Sequence, residues 1–456
     1  MIQTINPATG TPLEKFDSTT PLELEKTLAR AQAAQRTWRS TAYAQRAAVL
    51  RTVASRLRAQ QNALAAHATQ EMGKPLSQAR AEVQKSATGC EHYAEHGERY
   101  LSDELVPSGA AKSVVGYRPL GTILAVMPWN FPYWQVFRAA APALMAGNGM
   151  ILKHASNVSR CALEIDAIFA ASGAPTGLFA TVLLESERVA ALIADPRISA
   201  VTLTGSEAAG MSVASAAGNA LKKTVLELGG SDPFIVLADA DIAAAATIAV
   251  KARFQNNGQS CIAAKRFIVE DTVYDAFLEA FTHATRAQTV GDPMLEETDI
   301  GPVARDDLRD ALNRQVRASV AQGARITVGG NALSGAGFFY EPTIVADVTP
   351  EMAVFREETF GPAAAVIRAR DASHALALAN DSDFGLGANI WSQNIERAMQ
   401  MAAQVESGSV FINSMTASDP RLPFGGIKRS GYGRELGAFG IREFVNIQTI
   451  WVAPSP

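Results

Sequence analysis

The feature that most restricts the possible folds of this chain is an alternation of short apolar segments with helical segments, which begins at Gly121. Each apolar segment has the length and composition of a buried strand, and helical patterns lie between the segments. This alternation predicts an α/β fold with a doubly wound parallel sheet. The predicted strands are Thr122–Val126, Met150–Lys153, Ala180–Leu184, Ala200–Thr204 and Thr224–Leu228.

A second alternating block follows Gly230 and predicts a separate α/β domain. Before the first block, residues 21–102 have apolar residues at steps of three and four, which predicts helices. Residues 104–120 resemble a β-ribbon, and the apolar segment Asn446–Ala453 predicts a terminal strand. An apolar terminal strand is an exposed edge if it is unpaired, so we expect it to pair with a neighbouring subunit in a homodimer or homotetramer. The second block has predicted strands at Pro233–Leu237, Phe267–Glu270, Arg325–Val328 and Ala363–Arg368, and helices that begin at Asp241, Val273 and Ala372.

Composition excludes several classes of function. The chain has 456 residues, of which 48% are hydrophobic and 19% charged, as in a globular protein of two or three domains. A net charge of −4 provides no basic surface for nucleic acid, and no apolar run is long enough for a membrane span. The three cysteines form no paired framework and the N-terminus resembles no signal peptide, so we expect a cytoplasmic protein that binds small molecules.

Three local features suggest chemistry, and each has a plainer alternative. Cys261 lies on a polar loop between a predicted helix and a predicted strand, where it is either a nucleophile or a small buried hydrophobe. The segment Leu203–Gly210 follows a strand and opens a helix, so it either admits a phosphate or is an ordinary capped turn. His92 and His96 have the spacing of metal ligands on one helix face, but no third ligand accompanies them and a solvated face is favoured.

Ordered motifs along nearly the whole chain decide between these alternatives. The motifs are Pro128–Pro132 (PWNFP), Lys153 at a strand end, Leu226–Gly230 (LELGG), Gly258–Cys261 (GQSC), Glu358–Pro362 (ETFGP) and Pro423–Glu435 (PFGGIKRSGYGRE). Together they resemble the NAD(P)-dependent aldehyde dehydrogenase superfamily. This resemblance implies a cofactor-binding domain (1–103 and 121–227, with part of 411–438), a catalytic domain (228–410) and a small oligomerisation ribbon (104–120 and 439–456).

The resemblance implies four catalytic residues. Cys261 would add to the aldehyde carbonyl as a thiolate, and Asn130 would stabilise the oxyanion together with the backbone N–H of Cys261. Glu227 would activate the water that hydrolyses the resulting thioester, unless it is a surface carboxylate at a strand end. Glu435 would relay protons, or would be a structural partner of Arg434.

The same resemblance implies that the cofactor is NADP or NAD. Many NAD-preferring members have a glutamate three residues after the lysine of the strand end, where this chain has Ser156. Because a glutamate would repel a 2′-phosphate and a serine can donate to it, we expect NADP to be preferred. His154 would add to this preference if it were protonated, or would simply pack. The implied cofactor-binding residues are Trp129, Lys153, Ser156, Gly205, Ser206, Leu228, Glu358 and Phe360, although Trp129 and Phe360 could also be core aromatics.

Two further residues concern the substrate. The run that contains Arg138 resembles the succinate-semialdehyde dehydrogenases of short bacterial type, in which an arginine here meets the far carboxylate of the aldehyde. Ser418 resembles the matching hydroxyl donor, whereas the alternative for Arg138 is an exposed helix position. We expect oxidation of succinate semialdehyde. The alternatives are glutarate semialdehyde or an aliphatic aldehyde, a CoA-acylating reaction, which the presence of Glu227 disfavours, and a relative without activity.

Overall fold

The computed structural model describes residues 1–454 and begins with a small hairpin and a layer of helices. The first helix has Thr20 as N-cap, Pro21 at its first position and a capping box with Glu23, so its start is specified locally. The hairpin comprises β1 (Ile2–Ile5) and β2 (Pro12–Phe16), and the helices are α1 (Pro21–Trp38), α2 (Tyr43–Ala59), α3 (Gln61–Met72) and α4 (Leu76–Leu101).

A three-stranded antiparallel ribbon joins two distant parts of the chain. It contains β3 (Glu104–Leu105) and β4 (Lys112–Pro119), and the C-terminal strand Val445–Val452 pairs with β4 along its full length. The predicted terminal strand therefore has a partner in its own chain on one side, while its other edge is open. Residues 455 and 456 of the predicted ribbon segment lie outside the described residues.

The predicted parallel sheet is confirmed. Five of its six strands run parallel in the order β9-β8-β5-β6-β7, and the short strand Gly431–Tyr432 adds an antiparallel edge beside β9. The third predicted strand is shorter than expected, because the backbone of Leu183 bonds with Thr19 instead of continuing the ladder. The elements are β5 (Thr122–Met127), α5 (Trp134–Met145), β6 (Gly149–His154), α6 (Ser159–Ala170), β7 (Phe179–Thr181), α7 (Val189–Ala194), β8 (Ile198–Thr204), α8 (Glu207–Asn219) and β9 (Lys223–Glu227).

The second alternating block forms a seven-stranded sheet in the order β12-β13-β14-β11-β10-β16-β17, in which only β12 is antiparallel to its neighbour. Strands β13 and β16 and helix α11 were not predicted from the sequence. The elements are β10 (Asp232–Val236), α9 (Ile242–Phe254), β11 (Ala264–Glu270), α10 (Asp271–Arg286), α11 (Asp306–Ala321), β12 (Arg325–Val328), β13 (Thr343–Ala346), α12 (Ala353–Arg356), β14 (Ala363–Ala369), α13 (Ala372–Asn380), β15 (Phe384–Gly385), β16 (Gly387–Trp391), α14 (Ile395–Ala402) and β17 (Ser409–Ile412).

The last part of the chain returns to the first sheet. Strand β18 (Ile427–Lys428) pairs with β15, β19 (Gly431–Tyr432) pairs with β9, and α15 (Gly437–Glu443) leads into β20 (Val445–Val452). Because α4, α5, the ends of β5 and β9, and this returning segment share one apolar core, the motif residues are brought to one region. Within the described residues, no helix combines the length and apolarity that a bilayer span requires.

Candidate active site

Cys261 lies in a turn between α9 and β11, as the sequence predicts. The three residues before this turn have positive φ angles: 56° at Asn256, 59° at Asn257 and 71° at Gly258. A side chain at Gly258 would approach the Gly361 carbonyl oxygen to 2.4 Å, so this position requires glycine. Strained backbone is retained where the surroundings hold it, and such places are often functional.

Side-chain hydrogen bonds hold this strained turn in place. Asn257 donates through Nδ2 to the carbonyl oxygens of Gly73 and Pro302, at 2.8 Å each. Asn256 donates through Nδ2 to the carbonyl oxygens of Asn130 and Gln259, at 2.9 Å each. These amides donate to buried carbonyl groups from several segments of the chain. The hydrogen bonds therefore hold the loop that contains Cys261 in a fixed conformation.

The buried Lys265 ties the Cys261 loop to a second motif, which the sequence analysis did not foresee. Its Nζ donates to the carbonyl oxygens of Ser260 and Cys261, both at 2.9 Å, and lies 3.6 Å from Glu358 Oε1. Burial raises the pKa of Cys261 to about 12, although Arg138 and Lys265 oppose that shift. The thiol is therefore protonated at neutral pH, and a base or a bound ligand must favour the thiolate.

Cys261 borders a cavity of about 250 Å³. Arg138 and Ser418 line the same cavity, together with Lys85, and aromatic walls are provided by Phe131, Trp134 and Phe424. Cys261 is partly exposed there, whereas Cys90 and Cys161 are fully buried. The partial exposure of Cys261 to the cavity therefore favours the nucleophile over the alternative of a small buried hydrophobe, whereas Cys90 and Cys161 are core residues.

Asn130 does not line this cavity, but it is bonded to the Cys261 loop. Its Nδ2 donates to the Gln259 carbonyl oxygen at 3.0 Å, and its Oδ1 accepts from Gln135 Nε2 at 3.1 Å. The side chain is 3% exposed and its amide plane is fixed at both ends. An amide held in this way is pre-organised as a donor beside the cysteine.

Arg138 is not the exposed helix residue of the alternative interpretation. It is 3% exposed, forms an ion pair through Nε with the buried Glu435 and donates through Nη2 to Thr204 Oγ1 at 3.2 Å. Its guanidinium also lies 4.7 Å from the centre of the Phe424 ring. The proposed pairing of Glu435 with Arg434 is wrong, because Arg434 donates to the Gly426 and Gly433 carbonyl oxygens instead.

Glu227 lies at the end of β9, is 2% exposed and is not among the residues that line the cavity. The surface alternative for this residue is therefore wrong. Its carboxyl oxygens have no hydrogen-bond partner within residues 1–454. Burial and the nearby Glu435 carboxyl raise the pKa of Glu227 well above its usual range, against the opposing effect of Arg138. A buried, unpartnered carboxyl group of this kind is suited to proton transfer.

Lys85 was missed by the sequence analysis. It projects from α4 and donates through Nζ to Ser418 Oγ at 2.7 Å, and Nζ lies 4.7 Å from the centre of the Trp134 ring. A lysine three residues after Glu82 on a helix is typical of a surface ion pair, and the sequence contains no other signal. Its presence in the cavity depends on how α4 packs against α5.

A groove lies near the carboxyl ends of strands β8 and β9 of the first sheet, the region where dinucleotides bind in doubly wound folds. Gly205 follows β8, and the exposed Ser206 caps α8 by accepting from the Ala209 amide at 3.3 Å. Beside them is this groove, whose apolar walls include Met211, Leu226 and Leu228. The N-terminus of α8 suits a phosphate, and the apolar walls of the groove suit a planar base. The residues present therefore fit a dinucleotide cofactor.

The predicted 2′-phosphate region contains Lys153 at the end of β6 and Ser156 at the start of a 3₁₀ turn. Ser156 is exposed, and Lys153 is largely buried. His154 is buried, donates through Nε2 to the Pro132 carbonyl oxygen at 2.9 Å and accepts through Nδ1 from the Ala155 amide at 2.9 Å. Burial lowers the pKa of His154 to about 4, so it is neutral and packs beneath the strand end.

The remaining predicted cofactor residues are Trp129, Phe360 and Glu358, and Glu358 lies close to Lys265, which bonds to the Cys261 loop. Trp129 and Phe360 form an edge-to-face pair with ring centres 5.7 Å apart. Glu358 accepts from the Gly230 amide through Oε1 at 3.0 Å. A side chain at Gly229 would come within 2.6 Å of Glu358 Oε2, so the glycine is needed for this approach. A carboxylate in this position could accept from ribose hydroxyl groups.

The His92 and His96 rings are 4.7 Å apart, and His92 Nε2 lies 3.3 Å from the Tyr100 hydroxyl oxygen. In the described part of the chain, no three histidine, cysteine or carboxylate side chains come together as metal ligands. His92 is buried, so the expectation of a solvated face is wrong for this residue, which packs against His96 and Tyr100.

Comparison with known proteins adds the family context. A family model described as "Aldehyde dehydrogenase family" matches residues 1–450. The chain is 53% identical to the succinate semialdehyde dehydrogenase [NAD(P)+] of Escherichia coli K12 over 447 residues, which are 98% of this chain and 97% of the relative. It is also 53% identical to the probable succinate-semialdehyde dehydrogenase [NADP(+)] of a Synechocystis strain, over 99% of this chain and 100% of the relative.

A solved structure is similar over the whole chain. The succinic semialdehyde dehydrogenase of Streptococcus pyogenes, in complex with NADP+, superposes with a TM-score of 0.97 at 39% sequence identity and covers 100% of both chains. The predicted α/β architecture is thus confirmed by a protein of known structure.

Proposed function

Because the chain belongs to the aldehyde dehydrogenase family, we propose that it oxidises succinate semialdehyde to succinate with NADP as the preferred hydride acceptor and NAD as the alternative. The observation that carries this proposal is that Cys261 shares one cavity with Arg138 and Ser418. The cavity thus contains a nucleophile for the aldehyde end of the substrate and donors for its carboxylate end.

The nucleophilic step requires a cysteine because a free aldehyde has no electron pair with which to expel its hydrogen. Cys261 adds as a thiolate to the carbonyl carbon and forms a tetrahedral thiohemiacetal. Asn130 Nδ2 and the Cys261 backbone N–H stabilise the oxyanion, and one such donor contributes about 3 kcal/mol to transition-state stabilisation. When bound, the nicotinamide accepts the hydride that the substrate carbon releases.

Hydrolysis of the thioester on Cys261 then requires a base. Glu227 takes a proton from water, which attacks the thioester carbonyl and releases succinate and the cysteine thiolate. The raised pKa of Glu227 matches this task, because its neutral form is tolerated in the buried site and its ionised form is a strong base. Glu435 holds Arg138 by an ion pair, and this pairing favours a positioning role over a proton relay.

Cofactor binding is assigned to the cleft at the carboxyl ends of β6 and β8. Lys153 and Ser156 would hold the adenosine ribose and its 2′-phosphate, and Gly205 and Ser206 would lie near the pyrophosphate. Leu228 contributes to the apolar groove, Glu358 would hold the second ribose, and Trp129 and Phe360 would enclose the nicotinamide. The names of two relatives specify NAD(P)+ and NADP(+), which supports NADP and NAD as the cofactors.

The first prediction concerns Ser156. In Ser156→Glu, a carboxylate faces the 2′-phosphate, and we expect kcat/KM with NADP to fall by about 10- to 100-fold while that with NAD is retained. Initial rates with both cofactors measure this change, and Ser156→Ala serves as the uncharged control. Equal losses with NADP and NAD in Ser156→Glu would contradict the assignment of this residue to the 2′-phosphate.

The second prediction tests the substrate. Wild-type enzyme should have a much higher kcat/KM with succinate semialdehyde than with butyraldehyde, which has the same length but no carboxylate. Replacing Arg138 by methionine should lower this ratio by about 10- to 100-fold, because a charge-assisted hydrogen bond is lost. Nη1 of Arg138 forms no hydrogen bond within residues 1–454 and is the donor we assign to the substrate.

A matched control is needed because Arg138→Met also leaves the buried Glu435 without its partner, which can destabilise the fold. The double variant Arg138→Met/Glu435→Gln removes that unpaired charge. Its melting temperature should be closer to wild type than that of the single variant, while the substrate ratio remains low. Similar kcat/KM values for the two aldehydes in wild type would overturn the proposed substrate and leave the aldehyde dehydrogenase chemistry intact.

We also propose the division of the chain into a cofactor-binding domain, a catalytic domain and a ribbon of β3, β4 and β20 that contacts a second subunit. The open edge of β20 and its exposed Ile447 and Trp451 support a contact there. The absence of paired cysteines among three supports a cytoplasmic location.

A further inference from the structure

We propose that Lys85 is a substrate-binding residue that recognises the carboxylate of the aldehyde together with Ser418 and Arg138. This inference rests on the proposed function, because it names a further residue for the same site. It concerns specificity for an ω-carboxylate aldehyde, and Lys85 takes no part in the chemical step at Cys261.

The position of Lys85 supports this role. Its Nζ lines the cavity that contains Cys261, lies against the face of Trp134 and donates to Ser418 Oγ at 2.7 Å. An ammonium group has three N–H donors, and this bond uses one of them. Because Ser418 accepts from Lys85, its own O–H is available to donate. Both side chains therefore offer donors to an anion in the cavity.

The charge balance around the cavity leaves Lys85 without a counter-ion. Glu82, on the same helix, is committed elsewhere: Oε2 pairs with the buried Lys74, and Oε1 accepts from the backbone amides of Tyr133 and Trp134. Asp419 is paired with Arg421. Within residues 1–454 no carboxylate forms an ion pair with Lys85.

Arg138, in contrast, already has the Glu435 carboxylate as its partner. The ion pair contributes little net charge, whereas Lys85 contributes a whole positive charge. A partly buried cation that lacks a partner is unfavourable until an anion arrives, so the cavity favours a monoanionic ligand. The carboxylate of the substrate supplies that anion.

The titration of Lys85 makes this role testable. Burial, together with the positive charge of Arg138 on α5, lowers the pKa of Lys85 to about 8, against the opposing effects of Glu82 on α4 and Asp419 in the loop after β17. The side chain is therefore charged below pH 8 and neutral above it. Carboxylate recognition through Lys85 should be present below pH 8 and decline as the pH rises through 8.

The test measures the ratio of kcat/KM for succinate semialdehyde to kcat/KM for butyraldehyde, in wild type, Lys85→Met and Lys85→Arg, with NADP. We expect Lys85→Met to lower the ratio by about 10- to 100-fold at pH 7, as for the loss of one charged hydrogen-bond partner. The exposed Lys112→Met is the matched control, since Lys112 lies on the ribbon away from the cavity. Because both aldehydes react with the ionised Cys261, the pH dependence of this ionisation affects both kcat/KM values equally and cancels in their ratio.

The pH profile separates a binding role from a structural one. Because kcat/KM reports the pKa values of the free enzyme, the wild-type ratio should bend near pH 8 and fall above it. Lys85→Arg should keep a high ratio to higher pH, because a guanidinium does not deprotonate there. Calorimetry with succinate and the cofactor-free protein should show weaker binding in Lys85→Met by a similar factor.

The outcomes are distinct. A ratio in Lys85→Met within twofold of wild type, together with a collapsed ratio in Arg138→Met, would overturn the role of Lys85 and leave the proposed function standing. A wild-type ratio near one would overturn the proposed substrate and this inference with it. A wild-type ratio that stays flat from pH 7 to 9.5 would also contradict the role of Lys85.

Discussion

Replacing Glu227 by glutamine should produce an enzyme that reduces about one equivalent of cofactor per active site and then nearly stops. Acylation of Cys261 does not need the Glu227 carboxylate, whereas hydrolysis of the thioester requires a base. Loss of a general base typically costs about 10²- to 10⁴-fold in rate. Glutamine has the same shape, and no partner within residues 1–454 is left unpaired, so the fold should be retained.

Stopped-flow recording of NADPH measures this prediction. The burst amplitude should match the concentration of Cys261, and the steady rate after it should be low. The exposed Glu279→Gln on α10 is the control and should turn over like wild type. Because the pKa of Glu227 is raised, the wild-type steady rate should increase with pH as that carboxyl ionises, and this increase should be absent in Glu227→Gln. A variant that lacks the burst would place Glu227 in the acylation step instead.

Replacing Cys261 by serine should have a still larger effect. A serine hydroxyl has a much higher pKa than a thiol and is a poor nucleophile here, since no residue of the histidine type accompanies it in the cavity lining. We expect kcat to fall by about four to six orders of magnitude.

Two measurements make the Cys261 result specific. The melting temperature and the Kd for NADP should stay near the wild-type values, because Cys261 is partly exposed and its removal leaves the buried cores intact. The control is Cys90→Ala, which removes a buried thiol on α4. This variant should retain turnover. Residual activity in Cys261→Ser above about one part in a hundred would show that another group carries the reaction.

Much of the fold was predictable because its signals are local. Strand β8 and helix α8 follow directly from an apolar run, a glycine and the capping Ser206. Other elements could not be predicted from the sequence, and the reasons are physical. Strand β13 lies in an apolar run of four residues that periodicity cannot separate from a loop, and β16 begins at Gly387, inside the glycine-rich segment 385–387. The end of β7 depended on Thr19, which is 164 residues away from Leu183.

The candidate site shows the same division. The resemblance to the family implied that Cys261, Asn130 and Glu227 act together, and each of them follows or precedes a strand end. The partner of Glu435 was not predictable, because Arg138 lies 297 positions earlier and meets it only through the packing of α5 against the returning segment. Lys85 carried no local signal, and Lys265 could be recognised only from the carbonyl groups that surround its buried side chain.

The most direct test of the account is mass spectrometry of Glu227→Gln after brief incubation with NADP and succinate semialdehyde. The account predicts a mass increase of one succinyl group, located on the peptide that contains Cys261, and its loss on treatment with hydroxylamine. Wild-type enzyme treated in the same way should carry little of this adduct, because it hydrolyses the thioester. An unmodified Cys261 peptide, or an acyl group on Cys90 or Cys161, would contradict the central claim that a thioester on Cys261 links oxidation of the aldehyde to release of the acid.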